Sequence, residues 1–316
     1  SVPRVAPLAA PFAGLINAGP QGIAKRLLGL ADERPLPKWS ARPWKDEEVR
    51  THASTDGPDV ALFVDTFSRW FEPENARAAM TVLDAGDWRV EVVRAKDGGR
   101  PLCCGRTYLS AGMLDEARIE AERLLAALLP LAKKGVRIVG LEPSCLYTLR
   151  DEIPALLPGA DAQLVAEQAR MLEEFLDEEW RDGRALPFAA SAEPDAEAPA
   201  PDPSAPRRVL VHGHCHQKAF GGTSATLGML RRVPGVEPGM IESSCCGMAG
   251  AFGYHAEHYD ESMAMAELSL LPAVREAGPD VPVVADGTSC RAQIADGAGR
   301  SAVHLAIVLA EALEET

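Results

Sequence analysis

The feature that most constrains the fold is a pair of adjacent cysteines followed by glycine, which occurs twice in the chain. The two copies are Cys103-Cys104-Gly105 and Cys245-Cys246-Gly247. A Ser-Cys pair follows each copy further along, ending at Cys145 and at Cys290. Of the seven cysteines, Cys215 alone stands outside these segments. The chain is therefore predicted to contain two copies of one thiol-bearing unit.

Equal spacing within the two copies supports a duplication. Cys104 lies 26 residues before Pro130, and Cys246 lies 26 residues before Pro272. Both prolines belong to a Leu-Leu-Pro, and a basic residue and a glycine soon follow, as at the end of a helix. We predict an α/β fold of two pseudo-symmetric β-α-β-α-β repeats with mostly parallel sheets, preceded by an irregular or helical N-terminal arm.

Composition divides the chain into four segments. The arm is expected to cover residues 1–57 with one short helix around 21–31, because prolines at 35, 37 and 43 keep the rest irregular. The first repeat is expected at 58–189 and the second at 208–316. Residues 190–207, which are rich in Ala, Pro, Asp and Glu, are predicted to form a linker or surface excursion.

Apolar runs and their periodicity predict the elements of each repeat. Strands are expected at 60–65, 88–94, 136–141, 208–211, near 240 and at 281–285. Helices are expected at 73–85, 113–134, 161–180, 224–232, 255–276 and 302–314.

Charge and cysteine content argue against several classes of function. A net charge of −14 makes nucleic acid an unexpected partner. The first 50 residues carry eight Lys/Arg against five Asp/Glu, and a solvated arm is favoured over one that contacts an acidic partner or a membrane surface. An odd number of cysteines in a long chain favours a reducing, cytoplasmic setting over a disulfide framework.

The uncharged stretch from Val5 to Ala24 does not have the pattern of a membrane span. Prolines at 7, 11 and 20 interrupt it, whereas a spanning helix needs about 20 mostly apolar residues. Neither a membrane span nor a cleavable signal is expected. The chain starts at Ser1 rather than Met, which suggests a fragment or a processed product.

Each cysteine segment is expected directly after a predicted strand. Because the carboxyl ends of parallel strands meet at one edge of a sheet, the cysteines of each repeat should converge there. The expected clusters are Cys103, Cys104 and Cys145 in the first repeat, and Cys215, Cys245, Cys246 and Cys290 in the second. Four thiolates hold zinc or an iron–sulfur cluster, and the competing interpretation is cysteine as a small buried hydrophobe.

Other polar residues are candidates for supporting these clusters. His214 and His216 flank Cys215 and are expected to act as outer hydrogen-bond donors or substitute ligands. The first repeat has only three cysteines, so a fourth ligand there would come from Glu142, Thr66, water or another chain.

The duplicated pattern resembles the cysteine-rich (CCG) domain of heterodisulfide reductase. It is similar also to the iron–sulfur subunits of glycolate oxidase and anaerobic glycerol-3-phosphate dehydrogenase and to lactate-utilisation proteins. The likeness is greatest to the C-terminal region of fused FAD-linked oxidases. The matching segments are residues 64–73, 212–218 and 245–250, and the resemblance covers 60–313.

This resemblance implies particular cofactors and partners. It implies an iron–sulfur cluster of the 4Fe-4S kind in the second repeat, with zinc as the alternative. FAD would be bound by a partner oxidase domain or subunit, accompanied by a ferredoxin-like segment, and a quinone or other acceptor would receive the electrons. Typical substrates are D-lactate, glycolate and D-2-hydroxyglutarate, and the setting is the cytoplasm or the inner face of the cytoplasmic membrane.

The chain departs from the five-cysteine form of the family. Thr66 or Phe67 stands where the leading cysteine of the first repeat belongs, and Glu142 and Gly287 stand where each Cys-x-x-Cys would begin. A pair of noncubane clusters is therefore not expected. A single centre in the second repeat is the better prediction.

Two classes of function follow from these features. The first is an iron–sulfur electron-transfer module of an FAD-linked 2-hydroxyacid dehydrogenase. The second is a zinc-binding structural or interaction module, and thiol–disulfide chemistry of the heterodisulfide reductase type is a third possibility. The sequence contains no flavin signature and no Gly-x-Gly-x-x-Gly fingerprint after a strand, so the isolated chain is expected to be inactive.

Overall fold

Two parallel β-sheets surrounded by helices make up the protein, as seen in a computed structural model that describes residues 2–19, 21–49, 57–189 and 206–313. All strand pairs in both sheets are parallel, so the predicted α/β class is confirmed. Most of the predicted linker, residues 190–205, lies outside the described residues.

The N-terminal arm is more helical than expected. Its helices are α1 (Val2–Ala9), α2 (Ala13–Ala18) and α3 (Gly22–Leu27), with a 3-10 turn at Ala10–Phe12. Only one helix was predicted, around residues 21–31. Pro11 lies near the start of the 3-10 turn, where its missing N–H has no helical partner to lose, but Pro7 lies inside α1 and removes one hydrogen bond from that helix.

Arg34 anchors the arm to the second half of the chain. Its side chain is buried, and its guanidinium donates to the Gly253 carbonyl (2.9 Å), Gln293 Oε1 (2.6 Å) and Asp296 Oδ2 (2.6 Å). Because a buried guanidinium needs its hydrogen bonds satisfied, these contacts fix where the arm meets the body.

The first half contains a four-stranded sheet in the order β2-β1-β3-β4. Its strands are β1 (Val60–Phe63), β2 (Val90–Val92), β3 (Arg137–Gly140) and β4 (Ala169–Met171). Its helices are α4 (Thr66–Trp70), α5 (Pro73–Ala85), α6 (Arg106–Ser110), α7 (Leu114–Ala132), α8 (Pro143–Arg150), α9 (Glu152–Leu156), α10 (Ala160–Gln168) and α11 (Leu172–Arg181).

The second half repeats this topology with a three-stranded sheet in the order β6-β5-β7. Its strands are β5 (Arg207–Val211), β6 (Val236–Met240) and β7 (Val283–Val284). Its helices are α12 (Cys215–Ala219), α13 (Thr223–Arg232), α14 (Tyr259–Glu267), α15 (Leu270–Glu276), α16 (Thr288–Ala298) and α17 (Leu305–Glu311). A parallel bridge between Val284 and Val303 stands where the first half has β4.

Each half contributes its last helix to the other half. Helix α11 packs against α13, and helix α17 packs against α5. One apolar core accordingly contains residues of both sheets, including Val60, Val139, Val209 and Val284. The two repeats therefore fold into one another rather than side by side.

Two long helices expected from the sequence are interrupted. The helix predicted at 161–180 is divided by β4, since Ala169–Met171 pairs with the free edge of β3. The helix predicted at 255–276 is instead a 3-10 turn at Ala256–His258 followed by α14 and α15, and another 3-10 turn at Phe252–Tyr254 precedes it. Pairing at an available sheet edge outweighed the helical propensity of the segment that forms β4.

Candidate metal centre

The second-half cysteines lie at the carboxyl edge of their sheet. Cys215 is the first residue of α12, and Cys290 is the third residue of α16. Cys245 and Cys246 follow the end of β6. Parallel strands bring these three segments together, as the sequence predicted.

The four thiols form one hydrogen-bonded series. Cys215 bonds to Cys245, Cys245 to Cys246, and Cys246 to Cys290. Cys215 is exposed and Cys245 is half-buried, whereas Cys246 and Cys290 are buried. The series therefore extends from the core to the protein surface.

Gly247 allows the adjacent cysteines to face inward together. Its φ is +85°, and a Cβ at this position would lie 2.2 Å from the Ser262 carbonyl oxygen. Its backbone N–H donates to the Cys245 sulfur at 3.3 Å. Glycine is thus required both by the backbone conformation and by the close approach of α14.

The second-half cluster favours anionic sulfur at two positions. Hydrogen bonds from the Cys215 and Cys246 thiols, assisted by the Gly247 N–H, lower the pKa of Cys245 to about 2. A hydrogen bond from Cys246 and interactions with His212 lower the pKa of Cys290 well below its usual value, against the effect of burial. Thiolates are the form in which cysteine binds metals.

Basic side chains surround these sulfurs. Lys218 Nζ donates to the carbonyl oxygens of Ser243 and of Ser244, the latter at 3.2 Å. Burial lowers the pKa of Lys218, and the nearby cysteine thiolates oppose that effect. The rings of His212 and His214 also lie near enough to help lower the pKa of Cys290.

His214, predicted as an outer donor, caps helix α12. Its Nδ1 accepts the backbone N–H of His216 at 3.2 Å, so the ring hydrogen of neutral His214 is on Nε2. Burial lowers the pKa of this imidazole. His214 is therefore held as a donor whose Nε2 points away from the cap.

His216, the other predicted neighbour, faces the first half. Its Nε2 lies 3.4 Å from Arg106 Nη2, and its ring meets Tyr147 edge-on with centroids 6.2 Å apart. Burial and the charges of His214 and Arg106 lower its pKa to about 4. It is neutral at physiological pH and lies where the two halves meet.

His212 is a site residue that sequence reasoning missed, although it lies inside the His-Gly-His-Cys motif. A ring nitrogen of His212 and the sulfurs of Cys246 and Cys290 all lie within 4.8 Å of one another. Nδ1 lies 2.9 Å from Ser243 Oγ. Within the described part of the chain, the buried Nε2 has no hydrogen-bond partner of ordinary geometry. The sequence could have identified His212 as a site residue by its place directly after β5, at the edge where the cysteines lie.

The position expected for a fifth cysteine is closely packed. A Cβ at Gly287 would lie 2.5 Å from His214 Cδ2 and 3.2 Å from the Cys290 sulfur. A cysteine there would displace the His214 ring. This geometry agrees with the prediction that the second half lacks the five-cysteine arrangement.

The first-half cysteines also meet. Cys103 bonds to Cys104 and Cys104 to Cys145, and all three are buried. Thr66, the first residue of α4, occupies the place that Cys215 has in α12 and hydrogen-bonds Cys103. Gly105, with φ +82°, repeats the conformation of Gly247. The two halves therefore share the geometry of the site apart from the leading thiol.

Buried carboxyl groups lie near Cys145 of the first cluster. A hydrogen bond from Cys104 lowers the pKa of Cys145, but burial and the negative charges of Asp65 and Glu142 outweigh it and raise this pKa to about 12. The pKa values of Cys103 and Cys104 are also raised well above normal. The first cluster therefore holds neutral thiols where the second favours thiolates.

Glu142, predicted as a possible ligand or neighbour, joins the two halves. Its Oε1 accepts the N–H of Ser144 at 3.2 Å, and its Oε2 accepts the N–H of Thr288 at 2.8 Å. Burial, and then the charge of Asp65, raise the pKa of Glu142 to about 8. One carboxyl group thus caps the cysteine-bearing helices α8 and α16.

The second-half donor set fits a metal that prefers sulfur. Four thiols in series, two of them readily ionised, are accompanied by the buried Nε2 of His212, which has no ordinary hydrogen-bond partner among the described residues. Cysteine thiolates select zinc or iron–sulfur clusters over oxygen-preferring cations such as Mg²⁺. The first-half set, with three neutral thiols, fits such a group less well.

Comparison with known proteins agrees with these observations. Residues 209–295 match the family described as CCG: Cysteine-rich domain. Over 312 residues the chain is 27% identical to a subunit of the anaerobic glycerol-3-phosphate dehydrogenase of Escherichia coli (strain K12), covering 96% of this chain and 73% of that protein.

More distant similarity is found to D-2-hydroxyglutarate dehydrogenases. The Escherichia coli (strain K12) protein is 26% identical over 211 residues, which is 66% of this chain and 19% of that protein. The Pseudomonas putida protein is 26% identical over 237 residues, 74% of this chain and 20% of that protein. Among the described residues, no helix is both long and apolar enough to cross a membrane. The resemblance inferred from the doubled cysteine pattern is confirmed by the match of residues 209–295 to the CCG cysteine-rich domain and by the similarity to the glycerol-3-phosphate dehydrogenase subunit.

Proposed function

We propose that the chain is an electron-transfer module of a flavin-linked dehydrogenase and holds one iron–sulfur centre, of the 4Fe-4S kind, in its second half. The proposed ligands are Cys215, Cys245, Cys246 and Cys290. The observation that carries the proposal is the continuous series of four thiols with two strongly acidic members. The CCG match over the same segments supports it.

The protein itself holds anionic cysteine sulfurs at an edge of the second-half sheet that reaches the protein surface. An iron–sulfur cluster, when bound, supplies one-electron transfer. Basic residues around the thiols stabilise the negative charge of a thiolate centre, and the exposed Cys215 side marks where a redox partner approaches. His214 and Lys218 orient the segments that carry the ligands.

The proposed partners follow from the relatives and from the absence of a flavin signature in this sequence. A FAD-binding oxidase domain or subunit would oxidise the substrate, a ferredoxin-like segment would accompany it, and a quinone or another acceptor would take the electrons. The candidate substrates are D-lactate, glycolate, D-2-hydroxyglutarate and, from the names of the relatives, glycerol 3-phosphate. The proposed setting is the cytoplasm or the inner face of the cytoplasmic membrane.

The first-half cluster of Cys103, Cys104 and Cys145 is proposed to be vestigial. Its thiols have raised pKa values, and its leading position is held by Thr66. Burial and the neighbouring carboxyl groups keep the Cys145 thiol protonated, whereas metal binding needs thiolates.

Reconstitution with a flavoprotein tests this function. The purified, flavin-free chain should not reduce a dye acceptor with any of the four substrates, since a hydride must be taken by a cofactor such as flavin. Activity should appear when the flavoprotein is added and should fall in the Cys245→Ser, Cys246→Ser double variant. Turnover by the chain alone, or undiminished turnover with the double variant, would contradict an electron-transfer role.

A zinc-binding structural module is the second candidate. It is favoured by the close approach of His212, Cys246 and Cys290, whose ligand atoms all lie within 4.8 Å of one another. Ligand atoms around a single tetrahedral zinc are separated by roughly 4 Å, given Zn–S bonds of about 2.3 Å. A colourless protein with one zinc per chain and no iron would favour this candidate.

A further inference from the structure

The edge of the second-half sheet holds a buried histidine that the proposed function leaves without a role. His212 is 1% exposed, and its backbone N–H donates to the Val284 carbonyl at 2.8 Å, so the residue is fixed within the sheet. Its Nε2 is buried without an ordinary hydrogen-bond partner in the described chain. Leaving a buried polar atom unpaired costs about 1–3 kcal/mol, so such an atom calls for an explanation.

The other ring nitrogen is held by a short series of polar groups. Ser243 Oγ lies 2.9 Å from His212 Nδ1 and also accepts a hydrogen bond from Lys218 Nζ at 3.1 Å. A serine hydroxyl has a single hydrogen to donate. It can be directed to Nδ1 at 2.9 Å or to the Ile241 carbonyl at 3.4 Å, and the shorter contact is the stronger bond.

This choice decides the tautomer of His212. If Ser243 donates to Nδ1, the ring hydrogen is on Nε2, the atom that has no other partner among the described residues. The sulfurs of Cys246 and Cys290 lie in the same group of ligand atoms as the His212 ring. With Nδ1 bonded to Ser243, Nε2–H is the ring group left to reach those sulfurs.

We propose that His212 is a positioning residue whose Nε2–H donates a hydrogen bond to a cysteine sulfur of the metal centre, with Cys290 as the acceptor. A ring nitrogen of His212 and the sulfurs of Cys246 and Cys290 lie within 4.8 Å of one another, which places both sulfurs near this donor. Hydrogen bonds to the sulfurs are among the factors that set the reduction potential of an iron–sulfur cluster, and a donor favours the more negative, reduced state. His212 therefore raises the potential of the centre without being one of its ligands.

The first half provides a natural comparison. The N-cap residues Asp65 and His214 occupy equivalent places before α4 and α12, so the residue equivalent to His212 is Phe63. Phe63 is 1% exposed, which shows that this position accepts a buried aromatic ring without a donor. His212→Phe is accordingly the matched substitution, and His258→Phe, at a half-exposed histidine, is the control.

The first test observes the tautomer directly and does not depend on iron. In the zinc-loaded chain with ¹⁵N-labelled histidine, the His212 signals are identified by their loss in the His212→Phe spectrum. We expect a protonated Nε2 and an unprotonated Nδ1. A zinc-bound or unprotonated Nε2 would overturn the inference. This result distinguishes it from the proposed function, which fails separately if no iron–sulfur centre can be formed.

The second test uses the anaerobically reconstituted iron–sulfur form. His212→Phe should retain the metal content of the unaltered protein but show a lower midpoint potential, and His212→Asn, which keeps an N–H donor, should restore part of the shift. His258→Phe should leave the potential unchanged. Equal potentials for His212→Phe and the unaltered protein would overturn the inference, as would loss of metal from a folded His212→Phe. If His212→Phe does not fold, the His212 signals are assigned by their loss in the His212→Asn spectrum, and the protonation state of Nε2 in the unaltered protein decides.

Discussion

At the scale of single residues, the two halves differ in charge more than in geometry. Each half places a Cys-Cys-Gly segment and a cysteine on a helix at the carboxyl edge of its own sheet. The second surrounds them with His212, His214 and Lys218, and the first with Asp65 and Glu142. Electrostatics therefore indicates which cluster holds thiolates at neutral pH.

Removing one thiol from each half tests this difference. Cys290→Ser should abolish most metal binding and lower Tm by about 10 °C, since the native state loses the stabilisation that a tightly bound ligand gives. Cys145→Ser, at the third residue of the equivalent helix, is the matched control and should keep the metal. Metal analysis and thermal unfolding measure both effects, and full metal occupancy in Cys290→Ser would count strongly against the proposed centre.

Glu142 should make stability depend on pH. Its pKa is raised to about 8 in the folded protein from its ordinary value of 4.5, so the native state binds a proton that the unfolded state releases. The stabilisation is complete below about pH 4.5 and is lost as pH rises towards 8.

Glu142→Gln removes that titration. The variant should be less stable at low pH, because an amide cannot accept from both Ser144 and Thr288, but its stability should fall less between pH 5 and 8. Denaturant unfolding at several pH values measures the slope. An equal slope in both proteins would show that Glu142 does not retain its proton.

At the scale of elements, the strands and the cysteine-bearing loops were predictable, whereas several helices were not. Alternation and apolar runs located six of the seven strands, because buried parallel strands form short apolar runs. Strand β4, with the sequence Ala169-Arg170-Met171, carries no such signal and forms only because β3 offers it an edge. The short helices α8, α12 and α16 were not predicted, because the cysteine segments after the strands were assigned no secondary structure.

The role of His212 could not be derived from sequence for a related reason. The spacing of the motif placed it near Cys215, but only the fold shows that Nδ1 is held by Ser243 and that Nε2 is buried. The converse applies to Glu142, which the motif suggested as a ligand and which the structure shows as a cap for α8 and α16.

Two glycine substitutions should show whether backbone strain or steric conflict has the larger effect on the turn that follows Cys245 and Cys246. Gly247→Ala places a Cβ 2.2 Å from the Ser262 carbonyl, so it should prevent stable metal binding and lower Tm markedly. Gly250→Ala is the control, because its φ of +67° is similar but nothing lies within 4 Å of its Cβ. The control should cost only about 1 kcal/mol. Equal effects of the two variants in thermal unfolding would show that the contact with Ser262 is unimportant.

At the scale of the whole molecule, the halves are interdependent. Helices α11 and α17 are exchanged between them, and Arg291 in α16 forms a double hydrogen bond with Glu72 of the first half at 2.9 and 2.5 Å. The sequence predicted two repeats but not this exchange, since the periodicity of a helix does not show which sheet it will cover.

The exchange implies that the second half cannot fold alone. Residues 206–313 expressed without the first half would leave α17 without α5 and expose the shared apolar core. We expect no cooperative thermal transition in circular dichroism, whereas the full chain should show one. A cooperative, metal-binding fragment would contradict the interdependence of the halves.

The central claim is that the whole chain holds one iron–sulfur centre and that the second half holds it. Iron and acid-labile sulfide per chain, measured after anaerobic reconstitution, test it most directly. We expect about four of each, as for a single 4Fe-4S cluster, and little of either in Cys290→Ser. About eight of each would mean that the first half also holds a cluster, and one zinc with no iron would replace electron transfer by a structural role.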